Sequence, residues 1–445
     1  MLFNSIRFIF FFLPLILAVS MRLKGKALLR FLTLASFFFY AYAGRSWFLI
    51  PMLVTTVLDF LVAPKIAAAS SRPARRAWLG VSLCGNLGLL FWFKYANLFS
   101  PGLGVILPAG ISFYTFQTLS YVIDVYRGDC PAERNFWKFA GFVSFFPHLV
   151  AGPLTRHHQL IPPLTRISEE GVRPRWEAGL MLFSIGLCKK VLIADRIAAF
   201  SDPIIDSIAT AGAAQAWLAL LGYSLQIYFD FSGYSDMAIG LGRLFGIELP
   251  QNFNSPYQAL DPIDFWRRWH MTLSSWLRDY LYIPLGGNRL GEGRRRVNLI
   301  ITMVLGGLWH GANWTFAAWG LYHGLLLTLT HRWQEPWSSL PPALRRAGTF
   351  TAVTLGWVLF RSPDFGHAAL WFSRLFGYSE SASGPPAPLL ALCAAALLAV
   401  LFAPNASSFR RWDELPLAAR AALGAALGFG IIMMDGTSRF LYFQF

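Results

Sequence analysis

Residues Leu299–Asn313 read LIITMVLGGLWHGAN, a membrane-grade apolar run that ends on His310 between Trp309 and Gly311. An ionisable side chain is costly at bilayer depth and is rarely kept there without a task. Immediately upstream, residues 261–296 are basic and rich in tryptophan, unlike a spanning helix. Fourteen residues separate His310 from Arg296, roughly 21 Å along a helix at 1.5 Å per residue. The hydrocarbon core is about 30 Å thick, so the imidazole sits past the midplane, within reach of either side only through a passage in the protein.

The rest of the chain agrees with a membrane setting. Of 445 residues, 55% are hydrophobic and only 14% charged, against roughly 25% charged in soluble domains. Apolar stretches run from Leu2–Ser20 to Leu417–Met434, thirteen candidate spans that leave no room for a separate soluble domain. Among them are Val105–Tyr126, Phe136–Ala151, Ala214–Phe231, Val297–Gly311 and Trp314–Leu329; Phe136–Ala151, with Pro147 inside it, is short enough to be re-entrant. Leu2–Ser20 also has the layout of a signal peptide, but in so apolar a chain a retained first span is the expectation. We therefore expect an all-α polytopic protein, residues 1–445 as one membrane domain, in the plasma (inner) membrane.

The formal charge of +15 reads as arginine- and lysine-rich cytoplasmic loops rather than as nucleic-acid binding, for which no module is present. Arg22, Lys24 and Lys26, then Lys65, Arg72, Arg75 and Arg76, then Arg267 to Arg296 mark the inside face, with Arg410 and Arg411 later on the same side. The tail 435–445 then lies outside. Four scattered cysteines and no Cys/His ligand spacing indicate neither a disulfide framework nor a metal site. Residues 381–388 (SASGPPAP) read as an extramembrane loop.

Several residues carry two readings. His310 is either an inter-helix hydrogen-bond partner or a general base kept neutral by burial. Asp230 and Asp236, inside QIYFDFSGYSDMAIGLGR (226–243), are structural partners of neighbouring polar groups or relay groups, the structural reading being preferred for Asp236. Glycines 233, 240 and 242 suit close helix packing more than phosphate binding. In residues 261–287, Trp266, Trp269 and Trp276 alternate with Arg267, Arg268 and Arg278. That is an amphipathic helix on the bilayer surface, or a segment dipping into the protein so that guanidinium groups meet a polyanionic donor such as coenzyme A. His270 lies at its centre. The terminal RFLYFQF is an aromatic anchor, or a plug that places Tyr442 in an outer mouth. His148, His157, His158, His323 and His331 read as packing or interfacial residues. GxSxG, P-loop and HExxH motifs are absent from the sequence.

Five stretches together resemble the membrane-bound O-acyltransferase family, most closely its bacterial alginate O-acetylation branch. They are LPAGISFYTFQTLSYVIDVYRG (107–128), SFFPHLVAGP (144–153), QIYFDFSGYSDMAIGLGRLFG (226–246), DFWRRWHMTLSSWLRDYLYIPLGGNR (264–289) and GGLWHGANWTF (306–316). The resemblance spans 107–324 and the extreme C-terminus. It implies a ring of helices around a central acyl-transfer tunnel, with His310 of the WHG motif as the central catalytic residue. A second polar site, Asn or Asp in many relatives, falls on His270, forty residues earlier. The resemblance further implies acetyl-CoA as donor and Tyr442 as a candidate acyl relay; the arginine-rich stretch itself makes Arg267 and Arg268 the donor-binding candidates, and no tightly bound cofactor or metal is expected. It also implies delivery to an extracytoplasmic polysaccharide through a periplasmic or extracellular acetyltransferase, with lipid as the surrounding medium. The alternative is a polysaccharide or lipid-intermediate transporter without acyl transfer; paired repeats would favour it, and none is visible.

Overall fold

The computed structural model describes residues 2–377, 384–408, 415–434 and 440–441. Among the described residues every regular element is helical. The described residues divide into two compact units: the described parts of Met1–Leu187, Tyr234–Gln251 and Phe409–Gln444, and those of Cys188–Gly233 and Asn252–Ser408.

Within the first unit, Ser46–Ala68 and Arg72–Phe99 are the two helices of the described residues long and apolar enough to cross a membrane. Phe8–Ser20 is apolar but shorter, as are Ala387–Phe402 and Leu417–Ile432 elsewhere in the chain. The second crossing starts where Ser71 accepts a hydrogen bond from the Ala74 amide and Pro73 sets the first turn. Polar groups fix these helices to a third, Ile111–Arg127. The buried Asp59 carboxylate accepts from Ser82 Oγ at 2.6 Å and from Asn86 Nδ2 at 2.9 Å, and Asn86 in turn accepts from Thr118 Oγ1 at 3.1 Å. Buried polar atoms in such a setting need partners, and this node supplies them. The expected span Val105–Tyr126 starts its helix only at Ile111, because Pro108 and the left-handed Gly110 precede it. Phe136–Ala151 is helical only to Ser144 and then turns through Phe145 and Pro147.

The helix expected over Ala214–Phe231 continues to Leu244. Its extension is a packing effect: a Cβ on Gly240 would stand 2.7 Å from the Gly179 carbonyl oxygen and the Phe183 nitrogen, so glycine lets two backbones touch.

In the second unit the main feature is a helical hairpin, Gly291–His310 and Trp314–Arg332. The first helix begins six residues before the apolar run and carries Glu292 and Arg294–Arg296 in its first turns, which keeps its composition short of a full apolar span. Gly311 ends it in extended conformation, and Asn313 caps the return helix through the Thr315 amide. The two helices meet backbone to backbone: a Cβ on Gly307 would lie 2.2 Å from Phe316 O, and one on Gly320 2.2 Å from Met303 O. Residues 261–287 form two short helices, Pro262–Arg268 and Met271–Leu277, the latter continuing as one wider turn to Tyr282, rather than a single amphipathic rod. Pro342–Arg361 packs against the hairpin.

Candidate active site

The close hairpin holds His310 at the last position of its first helix, 5% exposed. Three rings pack on its imidazole edge to face: Trp309 at 5.1 Å between centroids, Trp319 at 5.2 Å and Phe360 at 5.3 Å. The ring of His270 stands 6.3 Å away. The sequence therefore names two histidines forty residues apart, and the fold brings them together.

His270 sits at the break between the two short helices with φ +42°, ψ +53°, a left-handed conformation unusual for a residue with a Cβ. The break is held from the strand of chain before it. The Asn252 carbonyl accepts from the Met271 amide at 2.9 Å, and Arg268 O accepts from the Asn254 amide at 2.9 Å. The Asn252 side-chain oxygen meets His270 Nδ1 at 3.0 Å, Thr272 Oγ1 at 2.8 Å and the Thr272 amide at 3.4 Å. Phe231 and Trp309 pack against the His270 ring at 4.8 and 5.9 Å. Burial holds its imidazole well below the ordinary histidine value, which keeps it neutral.

The other expected site residues are placed differently. Arg267 is exposed. Arg268 is tied to Asp264 at 2.8 Å, which reduces its freedom to hold a phosphate. Asp230 is bound by Lys190 at 2.6 Å, and Lys190 also meets Asp195 at 2.8 Å, a buried ion-pair node. This favours the structural reading of Asp230. Asp236 is buried in the first unit. Tyr442, Arg410 and Arg411 lie outside the described residues, as does most of the tail.

Three residues carry more than the sequence reading gave them. Asn252 gives no signal in QNFNSP, because its role depends on a contact eighteen residues away. Lys190 was detectable as a charge inside the apolar run 178–200. His323, read as packing, is fully buried between Trp319 at 4.9 Å and Trp266 at 5.2 Å. Neither of its ring nitrogens, nor either indole nitrogen, meets a hydrogen-bond partner among the described residues.

An open groove of about 530 Å3 runs along Pro262, Leu326, Thr330, Trp333, Trp337 and Ala352. One helical turn further along its three walls stand Trp266, His323 and Gly356. A Cβ on Gly356 would lie 3.0 Å from His323 Nε2. Arg345 reaches Asp261 at 3.7 Å beside one end of the groove, and Arg267 and Arg332 are exposed nearby in the chain. His331 is held below its ordinary value first by burial and then by the Arg295 and Arg267 cations.

The sequence profile of the membrane-bound O-acyltransferase family (MBOAT) matches residues 132–350. A protein named "Probable alginate O-acetylase AlgI" from Azotobacter vinelandii is 41% identical over 398 residues, covering 85% of this chain and 79% of that one. The chain belongs to the MBOAT family. A second relative, "Peptidoglycan O-acetyltransferase" of Helicobacter pylori, is 36% identical over all of this chain and 98% of its own. "Teichoic acid D-alanyltransferase" of Bacillus subtilis is 28% identical, covering 58% of this chain and 69% of its own. The protein is thus a membrane-bound acyltransferase, and the alternative of transport without acyl transfer falls away.

Proposed function

We propose that this MBOAT protein, multi-pass in the plasma membrane, takes acetyl groups from cytoplasmic acetyl-CoA and passes them through a tunnel narrowed at His310 to O-acetylate an extracytoplasmic polysaccharide, alginate or a similar glycan. A periplasmic or extracellular acetyltransferase is the partner that completes delivery, and Tyr442 is a candidate acceptor for the acyl group on the way. The observation that carries the reading is the pair of buried imidazoles, His310 and His270, 6.3 Å apart in an aromatic enclosure. The names of two relatives above 30% identity, an alginate O-acetylase and a peptidoglycan O-acetyltransferase, support acetyl as the group and an envelope polymer as its destination.

His310 acts as base. Its neutral ring takes the hydroxyl proton as the oxygen attacks the thioester carbonyl. The C–O bond forms, the C–S bond breaks, and the proton leaves with the sulfur as a thiol. Such a base supplies about 10²–10⁴ in rate, and the dry aromatic surround keeps water from the thioester. His270 assists from the facing side. The donor approaches along the groove lined by Leu326, Thr330 and Ala352, one helical turn from His323, with the exposed Arg267 attracting the phosphates and Arg268 contributing only when released from Asp264.

Purified protein given labelled acetyl-CoA should form labelled acetyl ester on a polymer or partner acceptor. His310→Ala should lose this by at least about 10²-fold while remaining in the membrane fraction. Full transfer by His310→Ala would reject the mechanism.

A further inference from the structure

Asn252 makes a set of contacts that fixes where the proton on His270 resides. One atom of its side-chain amide faces the Thr272 backbone N–H at 3.4 Å, Thr272 Oγ1 at 2.8 Å and His270 Nδ1 at 3.0 Å. A backbone N–H only donates, so that atom is the carbonyl oxygen. An imidazole nitrogen beside the same oxygen is held only if it carries a hydrogen. Neutral imidazole has a single N–H, so Nε2 is left as the acceptor.

We propose that Asn252 is a positioning residue for acyl transfer, holding His270 in the Nδ1–H tautomer so that the Nε2 lone pair is available to the reacting hydroxyl or to His310. This rests on the reading of His310 and His270 given above. The backbone serves the same end: Asn252 O accepts from the Met271 amide at 2.9 Å, pinning the residue after the left-handed turn. The choice of amide over carboxylate has a chemical reason. An aspartate would accept the same three hydrogen bonds, but its charge would favour the imidazolium, placing a proton on the lone pair that is needed. Among the described ring contacts of His270 from other elements are Phe231, Trp309 and His310, and of these three His310 is the titratable one.

The test is acetyl transfer from acetyl-CoA by the purified full chain across pH 5.5–9. Asn252→Ala should lower kcat by about 10–100-fold, the usual cost of losing a histidine's orienting partner, with KM for acetyl-CoA nearly unchanged. Asn252→Asp should restore most of the rate at alkaline pH, with the acid limb of kcat moved upward by about one pH unit. Wild-type kcat in Asn252→Ala, or an unmoved profile in Asn252→Asp, would overturn the assignment. If Asn252→Ala fails to accumulate, the Asn252→Asp profile decides alone. His310→Ala is run in parallel: activity there rejects the reading beneath the proposal, whereas a dead His310→Ala beside unaltered Asn252 variants rejects only the positioning role.

Discussion

Replacing Gly320 with alanine tests whether the hairpin sets the position of His310. The added Cβ would stand 2.2 Å from Met303 O and 2.8 Å from Val304 Cα, where ordinary contact begins at 3.4 Å. Both atoms are backbone, so no side chain can swing aside. Relief requires the Gly291–His310 helix to retreat by about 1.2 Å, and a helix moves as a stiff rod over the two turns from Met303 to His310. Overpacking of this kind costs about 1–3 kcal/mol. A misplacement near 1 Å at a reacting group costs on the order of 10² in rate. Gly320→Ala should therefore unfold at lower temperature in detergent and turn over acetyl-CoA about 10²-fold more slowly. Gly293→Ala is the control: it lies in the first turn of the same helix, exposed, with nothing within 4 Å of its Cβ, and should gain about 0.5–1 kcal/mol with turnover intact. Wild-type turnover and unfolding temperature in Gly320→Ala would refute the link between hairpin contact and imidazole position.

Three further outcomes are expected. Lys190→Met removes the cation between Asp230 and Asp195 and should cost about 3–5 kcal/mol in thermal unfolding, with Lys190→Met/Asp230→Asn recovering part of it; equal stability of all three proteins would contradict a structural node. His270→Gly should be more stable than His270→Ala by about 1 kcal/mol, since only glycine adopts φ +42° freely, and both should lose activity. Finally, His270 has a folded value depressed by burial, so the unfolded chain binds its proton first as pH falls. Its contribution is intact above the ordinary value near 6.5 and is lost as pH drops below it. Unfolding temperature should fall from pH 7 to pH 5, less steeply in His270→Asn, and identical slopes would count against a buried neutral ring.

His310 was legible because an apolar run, a Trp–His–Gly ending and a basic approach are all local facts. The amphipathic residues 261–287 were legible as an interruption of the spans, and His270 as its centre. The break that turns the chain at His270 was not, because a left-handed histidine follows from hydrogen bonds to Asn252 rather than from the propensity of Trp-His-Met. The continuation of the Ala213–Leu244 helix was hidden for a similar reason: serine, aspartate and three glycines weaken a helix locally, and only the contact at Gly240 shows why they are tolerated. The pairing of Arg268 with Asp264 was not legible, because a sequence does not show which of several nearby charges meet.

The Asp59 node bears on how the protein is made. Residue 59 reaches the bilayer ahead of Ser82, Asn86 and Thr118, and a bare carboxylate released alone into lipid is penalised by about 2.5–3.5 kcal/mol. Release together with the next two helices removes that penalty, so the node favours these three segments leaving for the lipid as a bundle rather than one at a time.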